Sequence, residues 1–237
     1  MSDQNPQTAP QKGASASPPA RKGGVLGGPL IPAVAAIALG IGGSYMLFGR
    51  PPEHNSQVTS SAVTGCILQP PSRIGGPISL QSDANQPVTQ ATFAGSPTLV
   101  YFGFTHCPDI CPNSMYLIHD ALNLMGASGQ SVKTALVTVD PERDTPEDMH
   151  DYIATEGFPR GLVGLTGTPD QIAAAAQAFA VSYQKVQQGD DYTMSHTSFV
   201  YLMDGNWRTQ AVMSTIGRTP QELASCLSQG LQAKPPG

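Results

Sequence analysis

Of 237 residues, one is tryptophan, four are cysteine and only 12% are charged. Each shortage excludes something. Four cysteines in so long a chain do not make the disulfide scaffold that small secreted domains need, because a chain of this length buries its own core. The twelve lysines and arginines are nowhere clustered and stand against seventeen acidic residues, for a formal charge of −5. That excludes the basic stripe on which nucleic-acid binding depends, so no nucleic-acid partner is expected. No internal repeat is visible. No second cysteine pair of suitable spacing accompanies the first, which excludes a four-ligand zinc clip.

What charge there is lies unevenly. Residues 1–23 hold Lys12, Arg21 and Lys22 against Asp3 and are rich in Pro, Gln, Ala, Ser and Gly, as a disordered cytoplasmic tail would be. Residues 50–237 carry nine basic against sixteen acidic residues, a balance suited to a cationic partner or a metal. Between them, residues 24–49 carry no charge. A helix of that length rises about 39 Å, enough to cross a hydrocarbon core of about 30 Å. Pro29 and Pro32 near its start are tolerated in a membrane helix. Arg21 and Lys22 before the run, with Arg50 alone after it, favour a cytoplasmic N-terminus and an exported domain. The rival is a cleaved signal peptide. The length of the run and the lack of a small-x-small site after Phe48 favour an uncleaved transmembrane anchor. Val63-Thr64-Gly65-Cys66 resembles a lipoprotein box but stands too far beyond the apolar run to serve as one. With no amphipathic transit pattern, the expected setting is a bacterial inner membrane, crossed once, with a periplasmic domain. Residues 50–76 are expected to be a flexible linker, 77–232 the folded domain and 233–237 a C-terminal tail.

Leu99 to Phe104 is a continuous apolar run, as a strand buried on both faces requires. Asn113 to Met125 carries Met115, Leu117, Ile118, Leu122 and Met125 at near-helical spacing, and Thr134 to Val139 is a second buried strand. Thr145-Pro146, Thr168-Pro169 and Thr219-Pro220 each set a capping hydroxyl before a first-turn proline. Gln171 and Glu222 complete capping boxes for the second and third. Ser198 to Met203 and Trp207 to Met213 flank Asp204-Gly205-Asn206 as a hairpin. This order predicts an α/β protein: a thioredoxin-like central mixed sheet flanked by helices, after an N-terminal transmembrane helix. In such a sheet the loop after the first central strand lies at the ligand-binding edge, and here it holds Cys107 and Cys111.

Pro112 suits the first position of a helix. Cys111 then stands at the helix mouth, where unpaired amides and the dipole favour a thiolate. The two sulfurs are spaced either to close a disulfide or to hold one soft ion. A purely structural disulfide is the weaker reading, since a short loop gains little from closure. Two thiolates and an imidazole suit copper better than zinc. Of the five histidines, His54 lies in the linker, and His119 and His150 sit on expected helices beside acidic residues, as solvated side chains do. His106 adjoins Cys107, but neighbouring side chains of an extended loop diverge; tuning the thiolates or meeting a partner suits it better. His196 follows the polar stretch QQGDDYTMS in the loop before the late strand, and that loop packs on the cysteine loop in the thioredoxin plan. It is the candidate third ligand; the bland alternative is a surface loop histidine. Met194 is soft too, but core filling or exposure accounts for it. Cys66, in the linker, and Cys226, on the last helix, either join in an oxidising compartment or stay free.

YFGFTHCPDICP at 101–112, VDPERDTPE at 139–147, LTGTPDQI at 165–172 and HTSFVYLMD at 196–204 together resemble the Sco/SenC family of membrane-anchored copper chaperones. The resemblance covers roughly residues 77–232. It implies a thioredoxin-like fold and one copper ion, Cu(I) or Cu(II), held by Cys107, Cys111 and His196. It further implies delivery to the binuclear copper centre in subunit II of cytochrome c oxidase; a periplasmic copper donor is a further candidate partner. Thiol reduction by the redox-active pair Cys107 and Cys111 is a linked or rival activity. Many members carry Asp before this histidine, where this chain has Ser195. Asp140, Glu142, Arg143 and Asp144 match the family's DPERD block, and helix capping with a salt-bridge network that shapes the site is the expectation for them. Tyr101 and Phe104 are expected in the core.

Two functions compete. A copper metallochaperone needs both cysteines and His196. A membrane-tethered thiol-disulfide oxidoreductase that reduces an acceptor's cysteines needs the cysteines alone, and the proline such reductases place in cis before the late strand is absent here. A redox or copper sensor needs a partner the sequence does not reveal. A peroxidase ranks last, because both cysteines sit in one short motif.

Overall fold

The computed structural model describes residues 63–68, 70 and 74–233. The anchor expected over 24–49 lies outside them, and among the described residues no helix is long and apolar enough to cross a membrane. Three short strands come first: β1 (Cys66–Leu68), β2 (Ser79–Ser82) and β3 (Pro87–Thr89). Next come β4 (Thr98–Gly103), α1 (Ile110–Leu124), the single turn α2 (Ala127–Gln130) and β5 (Lys133–Thr138). Then follow α3 (Pro146–Ile153), β6 (Val163–Thr166) and α4 (Pro169–Ala178). The chain ends with β7 (Tyr183–Gln188), β8 (Asp191–His196), β9 (Phe199–Met203), β10 (Thr209–Ser214) and α5 (Pro220–Gln232).

Eight strands form one sheet in the order β1-β10-β9-β4-β5-β6-β2-β3, and β7 and β8 form a separate two-stranded ribbon. β4, β5 and β6 run parallel, while β9 is antiparallel to β4 and β10 to β9. This is the α/β mixed sheet of a thioredoxin-like fold. All six residues of β4 are buried, which is why the run from Leu99 to Phe102 is continuously hydrophobic rather than alternating. Successive residues face opposite sides. Phe102 meets Phe179, just beyond α4, at 5.4 Å and Tyr201 at 6.2 Å. Burying each such ring contributes about 1.5–3 kcal/mol. Gly103 faces the other way, under α1, where an added β carbon would stand 3.1 Å from Cys111 Sγ. Glycine is what lets that sulfur lie on the strand.

All three Thr-Pro pairs start helices, with the threonine hydroxyls accepting from the amides of Asp148, Gln171 and Glu222. The first box is completed by Asp148, whose shorter carboxylate still reaches the Thr145 amide at 3.0 Å. Three expectations need correction. α1 starts at Ile110 and not at 113, so Cys111 and Pro112 both lie in its first turn. First-turn amides lack an intrahelical partner, so Pro112 removes no helix bond there. The polar stretch before His196 is not a loop: it is the ribbon β7–β8, turned through Gly189 at φ +62° and Asp190. Cys66–Leu68, inside the segment read as linker, is a strand on β10, and Cys66 forms a disulfide with Cys226 of α5.

Candidate metal centre

Cys107 and Cys111 are free thiols, the first half-buried and the second wholly buried. A turn closed by the Cys107 amide on the Phe104 carbonyl (3.3 Å) follows β4, and α1 then carries Cys111 back over Gly103. The Cys111 amide donates to Cys107 Sγ at 3.3 Å. His196 is the last residue of β8, and its Nε2 lies 3.5 Å from Cys111 Sγ. Its Nδ1 is 3.0 Å from the Thr197 carbonyl. A carbonyl only accepts, so Nδ1 carries a proton, and Nε2 is the ring nitrogen turned toward the sulfur. Tyr101 and Phe104, both buried, stand near-perpendicular to the imidazole, with ring centres at 6.2 and 5.9 Å.

The three donors are thus two sulfurs and one nitrogen, a soft set. Metal–sulfur and metal–nitrogen bonds of about 2.3 and 2.0 Å at a trigonal angle put sulfur and nitrogen about 3.7 Å apart. The observed Cys111–His196 separation of 3.5 Å is within reach of that without backbone movement. Among the described residues no three His, Cys, Asp or Glu side chains are already gathered around a common point, so an ion would itself close the set. A cavity of about 290 Å³ opens beside the pair and is lined by Phe104, Cys107, Ile110, Met194, His196 and Ile216 among others.

The hydrogen bond from Cys111 draws the Cys107 thiol down to about 4, while the same bond, with burial, pushes Cys111 well up. The pair therefore carries one proton, on Cys111. This reverses the expectation that the helix mouth makes Cys111 the thiolate: the free α1 amide points at Cys107, and Cys107 is the sulfur that solvent reaches. Iodoacetamide at mildly acidic pH should accordingly label Cys107 alone, at a rate that falls only as pH drops toward about 4. Peptide mass spectrometry reads this out; equal labelling of both cysteines, or a midpoint in the ordinary thiol range, would overturn it.

Asp144, wholly buried, anchors the cysteine loop. It accepts from the Thr105 amide (3.1 Å), from Thr105 Oγ1 (2.7 Å) and from Thr138 Oγ1. His106 is exposed, with Nδ1 2.9 Å from Thr105 Oγ1. His119 is half-buried with Nδ1 3.0 Å from the Phe158 carbonyl, not solvated; His150 is exposed near Asp83. His54 lies outside the described residues. Ser195 is exposed and on the opposite face of β8 from His196, and the Thr197 carbonyl is the acceptor at the ring's Nδ1. Sequence reasoning missed β8 as the carrier of His196. The signal was present: Tyr192, Met194 and His196 alternate inward after a Gly-Asp turn.

A family model described as SCO1/SenC matches residues 68–232. The chain is 42% identical over 132 residues to Protein SCO1 homolog 1, mitochondrial, of Arabidopsis thaliana, a stretch covering 55% of this chain and 39% of that one. It therefore spans well under half the length of that relative. It is 34% identical over 173 residues to Protein SenC of Rhodobacter capsulatus, covering 73% of this chain and 76% of that one. Among solved structures it is similar to Bradyrhizobium japonicum ScoI with copper bound, at 41% identity and a TM-score of 0.59, covering 66% of this chain and 98% of that one.

Proposed function

The chain belongs to the SCO1/SenC family, and we propose that it is a copper metallochaperone. One copper ion, Cu(I) or Cu(II), is its cargo, held by Cys107, Cys111 and His196. The observation that carries this reading is the 3.5 Å approach of the His196 Nε2 nitrogen to Cys111 Sγ, beside a second free cysteine. Two sulfurs satisfy Cu(I), and the imidazole adds the donor that Cu(II) favours. Transfer is ligand exchange. An acceptor thiolate enters through the cavity and bonds the ion as the more exposed Cys107 lets go, already stable as an anion. Cys111 and His196 release next. Burial disfavours the Cys111 anion, so that sulfur takes up a proton as the metal leaves, which drives the hand-off.

The acceptor in this reading is the binuclear copper centre of subunit II of cytochrome c oxidase, and a periplasmic donor loads the site. Residues 24–49 anchor the chain once in a bacterial inner membrane, with the N-terminus cytoplasmic and residues 77–232 periplasmic. The anchor confines the search to the membrane surface and raises the effective concentration of the two partners.

A second reading has its own support. A depressed Cys107 beside a protonated Cys111 is the pairing that thiol-disulfide exchange uses, which favours a membrane-tethered oxidoreductase that reduces the acceptor's cysteines. Anaerobic copper titration of the reduced full-length chain, beside Cys107→Ser, Cys111→Ser and His196→Ala, separates the two. The carrier reading expects one tightly bound copper with thiolate-to-copper charge transfer, lost in both serine variants and weakened in His196→Ala, which keeps dithiol exchange. No specific copper binding, together with a readily reduced Cys107–Cys111 disulfide, would sink it in favour of the reductase.

A further inference from the structure

The segment Asp140 to Asp144 bonds to both halves of the candidate site. Asp144 holds Thr105, two residues before Cys107. Arg143, from the same turn, holds the ribbon that ends in His196. Its Nε lies 2.6 Å from Oδ2 of the buried Asp140. Its Nη1 donates to the Tyr192 carbonyl at 3.0 Å and to Asp191 Oδ1 at 3.3 Å. The guanidinium stands 3.7 Å from the centre of the Tyr192 ring, and the Tyr192 hydroxyl donates to Asp140 Oδ1 at 2.9 Å. Lys185 Nζ, on the partner strand, lies 4.1 Å from the same ring and 2.6 Å from Glu142 Oε2.

The β7–β8 ribbon is outside the eight-stranded sheet, and an isolated two-stranded ribbon is marginal on its own. Where its last residue lies depends on what grips it. Tyr192, Met194 and His196 share one face of β8, so gripping Tyr192 aims His196. We propose that Arg143 and Tyr192 form a latch that positions His196 against the sulfurs, and that this latch selects the oxidation state of copper the protein holds. The inference rests on the copper-carrier reading. Latched, the site offers two sulfurs and a nitrogen and accepts Cu(II). Unlatched, it offers the two thiolates alone, which suffice for Cu(I) but not for Cu(II). Arg143 and Tyr192 are positioning residues and touch no metal ligand directly.

The test measures Cu(II) and Cu(I) affinities separately, by competition with chelators, on the reduced full-length chain and on Tyr192→Leu, Tyr192→Phe, Arg143→Gln and Arg143→Lys. Partners that orient a ligand typically contribute roughly 10- to 100-fold in metal affinity. Tyr192→Leu and Arg143→Gln are expected to lose that much for Cu(II), with the thiolate-to-Cu(II) charge-transfer band, while Cu(I) affinity stays as in the unsubstituted protein. Tyr192→Phe keeps the stacked ring without the hydroxyl, and Arg143→Lys keeps the charge without the planar fork, so both should fall between. Unchanged Cu(II) affinity in the unlatched variants, or equal losses for both ions, overturns the proposal. If Tyr192→Leu fails to fold, Tyr192→Phe decides by the same comparison. If the unsubstituted protein binds no copper, the carrier reading fails instead, and hydrogen exchange of the β8 amides decides the positioning. Faster exchange in Tyr192→Phe supports the latch, and unchanged exchange rejects it.

Discussion

Replacing Cys66 and Cys226 together by alanine should lower the stability of the domain by about 3–5 kcal/mol. The disulfide spans 160 residues of sequence, and closing so long a loop removes a large share of the unfolded chain's freedom. Little else holds the strand that carries Cys66. β1 has three residues, and Ile67 and Leu68 are 50% and 40% exposed, so the strand gains little from apolar burial. At roughly 2–4 °C per kcal/mol for a domain of this size, the melting temperature should fall by roughly 10 °C. Reductant should bring the unsubstituted protein down to the same value. Thermal unfolding followed by circular dichroism, with and without reductant, measures both. A double variant that melts with the unsubstituted protein would remove the staple from any account of stability. Neither cysteine belongs to the Cys107–Cys111–His196 group, so copper titration should be unaffected.

Asp144→Ala is expected to be nearly as damaging, and for a local reason. It strands three buried or half-buried donors, the Thr105 amide and the Thr105 and Thr138 hydroxyls. Each unmet donor costs about 1–3 kcal/mol, so a loss of about 3–5 kcal/mol follows, with a looser cysteine loop and weaker copper binding. Burial pushes the Asp144 carboxyl above the ordinary carboxylate range, although the three hydrogen bonds oppose that. The sign follows. A group whose folded pKa is raised contributes stability that is present at low pH and lost as pH rises through the folded value. Asp144→Asn should keep an acceptor for Thr105, destabilise less than alanine, and erase that part of the pH dependence. Denaturant titrations across the acidic range compare the three proteins. If the alanine variant is as stable as the unsubstituted one, Asp144 does not anchor the loop.

The parts of the fold that could be read in advance are those whose physics is local. β4 and β5 announce themselves because strands buried on both faces carry unbroken hydrophobic runs, Leu99 to Phe102 and Ala135 to Val137, and the Thr-Pro pairs because a capping hydroxyl and a first-turn proline are both one-residue requirements. The thioredoxin plan also placed His196 against the cysteine loop, and the Cys111–His196 approach bears out that proximity. The ribbon stayed hidden because only one face of it is covered: Gln184, Lys185, Gln187 and Gln188 are all exposed, so its composition is that of a loop. The state of the two thiols was misjudged for a different reason. Spacing says that an unpaired amide is near, but only the fold shows that it points at Cys107. The Cys66–Cys226 pairing joins positions 160 apart, and four cysteines allow three pairings, so the sequence could pose that question without answering it.

Cys66 is also where a mechanical load would stop. A pull on the chain before it meets the covalent bond to α5 at the first residue of β1, so the three-residue ladder cannot unzip from that end while the bridge holds. If residues 24–49 are held in a membrane, sixteen residues, 50 to 65, separate them from Cys66, and no trans chain of that length spans more than about 55 Å at roughly 3.4 Å per residue. No force that spares the sulfur bridge can add β1 to that span, so its covalent length is set by sixteen residues of chain.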